Sequence, residues 1–238
     1  ETGKLIAGIE IKRFGMVAED CLQSITRSGE RGIQQNSKIR SRWCIAFICF
    51  LVFNGGGQLP QVYEQLQEPD NLDEAVRRWK DYDRVTVAAM LEKRPRQIIY
   101  SRVSFPGRSL ASFEFHLRTV KPVIRAAVSS TETETELRAK WQKEGGEDVD
   151  KPLLLDTRAG EGYMTPQVRS TLTRFIPDID PELVDISPSS VRSSYATWKF
   201  NEHRQGRFFA DLDEEEFLET LARIMNTSVE QLKATYIA

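Results

Sequence analysis

The pattern of apolar and polar positions changes period several times along the chain, and each change predicts a different element. The longest apolar run is WCIAFICFLVF at 43–53, and the glycine-rich stretch NGGGQLP at 54–60 follows it. A run of this length is too short to cross a bilayer, so it predicts a buried core helix. Three glycines and a proline predict a turn after it, with a short helix at 60–67.

β-branched and aromatic residues mark two neighbouring stretches as strands. RVTVAAML at 84–91 and RQIIYSRVSF at 96–105 have the composition of half-buried strands. The turn between them would contain Lys93, Arg94 and Pro95. Together they predict a small antiparallel sheet.

Helix-start signals delimit further helices. NLDEAVRRWKDY at 71–82 opens with Asn71 and has Glu74 three residues later, which is the spacing of a capping box. Other helices are predicted at 111–128 around Pro122, at 165–175, at 211–225 with an acidic first turn, and after Thr227 as N-cap with Glu230 in capping-box spacing. The predicted fold class is therefore mainly α with a small antiparallel β-sheet (α+β).

The stretch ISPSSVRSSYATWKF at 186–200 predicts a helix that carries an arginine. Ser187 suits the N-cap, and Pro188 suits the first helical position, where a missing N–H costs nothing. An apolar stripe follows at helical spacing, formed by Val191, Tyr195 and Trp198. Arg192 lies at the edge of this stripe, which makes it a candidate functional residue.

Composition narrows the functional class. The 238 residues have a net charge of −2, so any contact with nucleic acid must come from local basic patches. Three cysteines without metal-type spacing favour a reducing, intracellular compartment, and neither histidine belongs to a metal pattern. No signal peptide is recognised, and no membrane association, metal or small-molecule cofactor is expected.

The order of these parts resembles the catalytic domain of tyrosine recombinases, the phage-type integrases and their eukaryotic transposon relatives. Four segments carry the resemblance: CIAFICFLVFNGGGQLPQVYEQL, KPLLLDTRAGEGYMTPQVRSTLTRF, ISPSSVRSSYATW and IMNTSVEQLKATY. They cover roughly residues 40–238. The resemblance implies a recombinase-like domain at 43–238 after a helical lead-in at 1–42, with a charged insertion near 129–151 that is either a projecting helix or mobile.

The resemblance also implies site residues. Arg192 matches the second catalytic arginine of the family, and Tyr236 matches the tyrosine that attacks the DNA phosphodiester. Lys93 is the candidate for the hairpin lysine of the family. The remaining family positions carry different residues here: Gln58 replaces the first arginine, Ser189 replaces a histidine, and Thr227 replaces a histidine or tryptophan. Because a neutral glutamine cannot clamp phosphate charge, strand cleavage is expected to be lost or strongly reduced.

The resemblance implies double-stranded DNA as the partner, and the nucleus as the location if the source is eukaryotic. Lys199, Arg204 and Arg207 are the candidate DNA-binding residues. A homo-oligomer is one option for the assembly, although the oligomeric state stays open. The chain is expected to be too short to include the separate helical domain with which such enzymes embrace DNA.

Two alternatives remain at this point. One is an active DNA breaking-rejoining recombinase that uses Tyr236 and Arg192, with the missing charge supplied by Arg40 or Arg42, or by Arg94 and Arg96. The other is a helical protein-interaction domain without DNA binding, which the acidic balance of the chain favours.

Overall fold

A buried helix, α3 (Ser37–Asn54), forms the centre of the fold in a computed structural model of the chain. The structure describes residues 6–27, 29–94, 97–129, 152–155, 165–179, 181 and 186–236. Helix α3 begins at Ser37 rather than at Trp43, because the Asn36 side chain caps it and accepts from the backbone N–H of Lys38 at 3.0 Å. The apolar run therefore marks the buried part of the helix and not its whole length.

The other elements surround α3 in chain order. They are α1 (Gly8–Arg27), α2 (Gly29–Gln35), α4 (Pro60–Glu64), α5 (Leu72–Asp81), β1 (Arg84–Arg94), β2 (Gln97–Pro106), α6 (Leu110–Phe115), α7 (Lys121–Ser129), α8 (Thr165–Ile179), α9 (Pro188–Arg204), α10 (Glu214–Ile224) and α11 (Val229–Gln231). The expected mainly helical α+β class is confirmed by this order. The predicted insertion at 129–151 lies outside the described residues except for Ser129 at the end of α7.

Helix α1 packs along α3, so the N-terminal helix shares the core of the chain. The rings of Phe14 and Phe53 lie 5.3 Å apart between centroids. Gly15 faces the side chain of Asn54 so closely that an added Cβ would lie 2.9 Å from its amide nitrogen. These contacts hold the C-terminal end of α3 in place, where the glycine-rich turn begins.

Strands β1 and β2 pair antiparallel, as predicted, with Val87 opposite Val103. The predicted helix at 60–67 is too long, because α4 ends at Glu64 and Leu66 instead forms a β-bridge with Ala89. Lys93 and Arg94 belong to β1 and not to the turn, whereas residues 95–96 lie outside the described part. Strand β1 therefore extends three residues beyond the predicted end at 91.

The predicted helix at 111–128 is present but not uniform. Between α6 and α7 the backbone forms a π-type turn at His116–Val120, which ends two residues before Pro122. Proline lacks the N–H that a regular helix would use, so the wider turn accommodates it.

Within the described residues, no helix combines the length and the apolar character needed to cross a bilayer.

A buried histidine joins this helical segment to the core. His116 is 1% exposed, and its ring stacks on Phe47 at 4.3 Å between centroids. The indole N–H of Trp43 points at its Nδ1 at 3.2 Å, and its Nε2 lies 2.9 Å from the Leu153 carbonyl. Both contacts are satisfied only when the ring is neutral and carries its proton on Nε2, because Nδ1 must then accept. Burial is the main reason why the pKa of His116 falls to about 3.

We expect the free energy of unfolding to fall as the pH drops from about 6.5 towards about 3, by up to about 1.4 kcal/mol per pH unit from this residue. The unfolded chain gains a proton on His116 in this window, whereas the folded chain does not. Denaturant unfolding of His116→Gln and His203→Gln across this pH range would isolate the contribution of His116. Only His116→Gln should remove this part of the pH dependence.

Imidazole NMR of the folded protein gives a direct check. His116 should be a neutral Nε2–H tautomer at pH 5. A protonation midpoint for His116 near 6.5 would contradict the expected burial effect.

Candidate functional site: a buried arginine at the glycine turn

Helix α9 begins as the sequence predicts. The Ser187 hydroxyl accepts from the backbone N–H of Ser190 at 3.1 Å, and Pro188 occupies the first helical position. Ser194, further along the helix, has a different role. Its hydroxyl accepts from the backbone N–H of Ile6 at 2.7 Å. One serine therefore fixes the start of the helix, and the other ties the helix to the N-terminal segment.

Arg192 lies one turn into α9 and is almost completely enclosed, with 1% of its surface exposed. Its Nη1 donates to the carbonyl of Gly57 at 2.5 Å and to the carbonyl of Met225 at 2.7 Å. Gly57 belongs to the turn after α3, and Met225 follows the last residue of α10. The guanidinium thus connects three segments that are far apart in the sequence.

Gln58 lies in the same buried cluster and is 2% exposed. Its amide nitrogen donates to the carbonyl of Ile224 at 2.5 Å, and its amide oxygen accepts from the side chain of Asn226 at 2.7 Å. Ser101 of β2 donates to the other end of Asn226 at 2.5 Å. A chain of neutral hydrogen bonds therefore runs from the sheet to the glycine turn.

The turn itself requires glycine. Gly56 and Gly57 have φ angles of 76° and 66°, which L side chains rarely adopt. Tyr195 of α9 covers the turn, and a Cβ added at Gly57 would lie 3.1 Å from the Tyr195 Cβ. Burial raises the pKa of Tyr195 to about 12, while the positive charge of Arg84 acts in the opposite direction.

The other positions of the predicted site lie at the edge of this cluster, or their side chains lie outside the residues that the structure describes. Ser189 is exposed on the first turn of α9. Tyr236 ends the π-type turn Leu232–Tyr236 that follows α11, and its side chain lies outside the described residues. The side chain of Lys93 lies outside them as well.

Thr227 follows Asn226 directly but does not cap the next helix as predicted. Ser228 is the N-cap, and its side chain accepts from the backbone N–H of Gln231. The Thr227 hydroxyl donates to the side chain of Gln231 at 3.1 Å. The sequence offered two neighbouring hydroxyl residues, and only the backbone conformation selects between them.

The three predicted DNA-binding cations differ in exposure. The Lys199 side chain is 13% exposed, lies 2.7 Å from Glu202, and places its ammonium 3.8 Å from the centroid of the Trp198 ring. Arg204 is exposed and pairs with Glu214 at 3.3 Å, and Arg207 is also exposed. Two of the three cations therefore face solvent, and the third is held against an aromatic ring.

Arg40 and Arg42 do not supply the charge missing at Gln58. Arg40 donates from Nη1 to the carbonyls of Ile33 and Gln34 at 2.8 and 2.9 Å, at the C-terminal end of α2. Both arginines lie on the first turns of α3, about 20 Å along the helix from the glycine turn, at about 1.5 Å per residue. The side chain of Arg94 and all of Arg96 lie outside the described residues.

Sequence reasoning missed Ser101 and Asn226, which complete the cluster. Asn226 has a φ of 53°, a left-handed conformation that asparagine tolerates better than most residues. Its place directly after α10 was a signal for a helix-terminating turn. Nothing in the sequence marked Ser101, because a serine in a strand is common.

This arrangement favours structure over bond cleavage. The Arg192 contacts above are with backbone carbonyls inside the protein, and the neighbouring position carries a neutral amide. A phosphate clamp instead needs guanidinium groups directed at an accessible anion.

No protein-family model matches the chain, and no curated protein matches its sequence.

Replacing Arg192 with methionine should lower the free energy of unfolding by about 3 kcal/mol, because the Gly57 and Met225 carbonyls lose a charged donor. Chemical denaturation measures the effect. Arg204→Met in the same helix serves as the control and should cost at most about 1 kcal/mol, since its ion pair is exposed. Equal stability of Arg192→Met and wild type would show that the cluster does not depend on this side chain.

Gly57→Ala and Gly206→Ala form a matched pair, because both glycines have a φ of 66° but only Gly57 has a close neighbour. Gly206→Ala should cost about 1–2 kcal/mol of stability through backbone strain alone. Gly57→Ala should cost at least about 1 kcal/mol more, because Tyr195 must shift. Thermal unfolding of the two variants gives the comparison, and equal costs would argue against tight packing of Tyr195 on the turn.

Proposed function

We propose that the chain is a tyrosine-recombinase-like domain that binds double-stranded DNA and has lost all or most of its strand-cleavage chemistry. One observation carries this proposal: two positions of the resemblance, Gln58 and Arg192, converge on residues 224–226, next to the third, Thr227. These positions are far apart in the sequence. Their convergence supports an inherited recombinase arrangement more strongly than any single residue does.

The chemistry of the converging residues supports the loss of cleavage. Phosphodiester cleavage by a tyrosine needs cationic groups on the nonbridging oxygens and a proton donor for the leaving oxygen. Gln58 is neutral, Ser189 is a poor proton donor, and the Arg192 guanidinium holds the two carbonyls. Loss of a single charge-stabilising donor typically reduces a rate by about 10²–10³, so the combined change leaves little activity for Tyr236.

We expect the protein to bind a mixed-sequence DNA duplex. The logarithm of the association constant should fall linearly with the logarithm of the salt concentration. The reason is that Lys and Arg side chains take the place of the counterions at the DNA phosphates, and these counterions are released on binding. Fluorescence anisotropy at several salt concentrations would measure the slope. Absence of binding at low salt would overturn the proposal and favour a role in protein contacts.

A plasmid-nicking and covalent-trapping assay tests the second half of the proposal. Wild type and Tyr236→Phe should both show no nicking above background. Nicking or a covalent DNA adduct by wild type that disappears in Tyr236→Phe would establish an active recombinase instead.

A further inference from the structure

The β1–β2 hairpin differs in charge from the rest of the chain. Residues 84–106 contain five Lys and Arg and one acidic residue, although the whole chain has a net charge of −2. These residues are Arg84, Glu92, Lys93, Arg94, Arg96 and Arg102. The hairpin is therefore the kind of local basic patch that an acidic protein needs in order to bind a polyanion.

The two faces of the hairpin are distinct. Alternate residues of β1 are buried at Val85, Val87 and Ala89, and in β2 Val103 and Phe105 are buried with them. The opposite face presents Arg84 and Arg102, both exposed, together with the half-buried Thr86 and Ser104. We call these four residues the outer hairpin face.

The outer hairpin face has the side chains that contact phosphates. Thr86 and Ser104 lie opposite each other, with their hydroxyls 3.1 Å apart, and Arg102 lies opposite Ala88. The Arg84 Nε donates to the Ser104 hydroxyl at 3.2 Å. Within the described part of the chain, neither arginine forms an ion pair. Arginine and hydroxyl side chains are among the groups that commonly contact DNA phosphates.

The spacing of the two arginines also suits a duplex. Arg102 pairs with Ala88, which lies four residues after Arg84 along β1. The two positions are therefore about 13 Å apart, at about 3.3 Å per residue. The major groove of B-form DNA is about 12 Å wide and admits a two-stranded ribbon. The paired residues Thr86 and Ser104 lie midway between the two cations on this face.

The hairpin is also connected to the buried cluster. Ser101, on the inner face of β2, donates to Asn226, which in turn donates to Gln58. The charge of Arg84 acts on Tyr195, which covers the glycine turn. The hairpin is thus fixed to the same part of the protein that the proposed function rests on.

We infer that the outer hairpin face binds the phosphate backbone of double-stranded DNA, with Arg84 and Arg102 as the main cationic contacts and Thr86 and Ser104 as hydroxyl donors. The inference rests on the proposed function and assigns DNA contact to a surface other than Lys199, Arg204 and Arg207. Because this surface lies on an exposed strand face, its side chains can be changed without opening the core.

The test compares salt-dependent binding of a duplex of about 30 base pairs, roughly three helical turns. The variants are Arg84→Ala/Arg102→Ala, the charge-preserving Arg84→Lys/Arg102→Lys, and a control, Arg169→Ala/Arg174→Ala, which removes two exposed arginines from α8. The hairpin alanine variant should lose about 10-fold or more in affinity at low salt, and its salt slope should fall by about 2. The lysine variant should keep the wild-type slope, and so should the control.

The outcomes separate the two claims. If wild type binds DNA but the hairpin alanine variant binds equally well, or weakens only as much as the control, the inference is wrong and the proposed function stands. If wild type itself does not bind, the proposed function fails, and the inference fails with it. Unchanged thermal unfolding of the hairpin variants would confirm that an affinity loss arises from the surface and not from the fold.

Discussion

The hydrogen bonds of Arg192 to Gly57 and Met225 are the constraint on which the C-terminal half of the structure depends. The partners are 135 and 33 residues away in the sequence, so one side chain fixes the relative positions of α3, α9 and α10. A buried guanidinium is costly unless its donors are paired. The left-handed turn at Gly56 and Gly57 directs a carbonyl towards it, which explains why these two positions are glycine.

A second set of buried polar groups attaches the segment at 152–155 to the core. The Lys121 ammonium is 1% exposed, lies 2.5 Å from a carboxylate oxygen of Glu68, and donates to the Pro152 carbonyl. At the next residue, the Leu153 carbonyl faces His116 and the Leu153 N–H donates to the Leu66 carbonyl at 2.6 Å. Since Leu153, Leu154 and Leu155 are all buried, apolar burial stabilises this segment and the polar contacts set its register.

The Arg192 cluster is compatible with the proposed recombinase-like arrangement without cleavage chemistry. A cationic clamp and a structural arginine use the same side chain at the same place on α9, and they differ in whether the guanidinium faces a ligand or the protein. Gln58 is hydrogen-bonded to Ile224 and Asn226, so its amide is paired within the protein. The exposed arginines of the hairpin, Arg84 and Arg102, form a separate surface, and it is there that we propose contact with phosphate.

Local signals in the sequence determined the elements of this protein. Ser187 and Pro188 start α9, Asn71 caps α5, and alternating β-branched residues form β1 and β2, because each of these preferences depends on residues within a few positions. Where two local choices were equivalent, as with Thr227 and Ser228, the sequence did not decide between them. It also could not show that Arg192 points inward, since a helix edge next to an apolar stripe can face either side.

Only the tertiary structure decided the roles of Arg192, Gln58, His116 and Lys121. All four are polar and buried, and each has a partner more than 30 residues away in the chain. The pairing of a buried polar group depends on which distant carbonyl or carboxylate reaches it after the helices pack. The sequence therefore determined which elements form, whereas packing determined which polar side chains hold the fold and which remain on the surface.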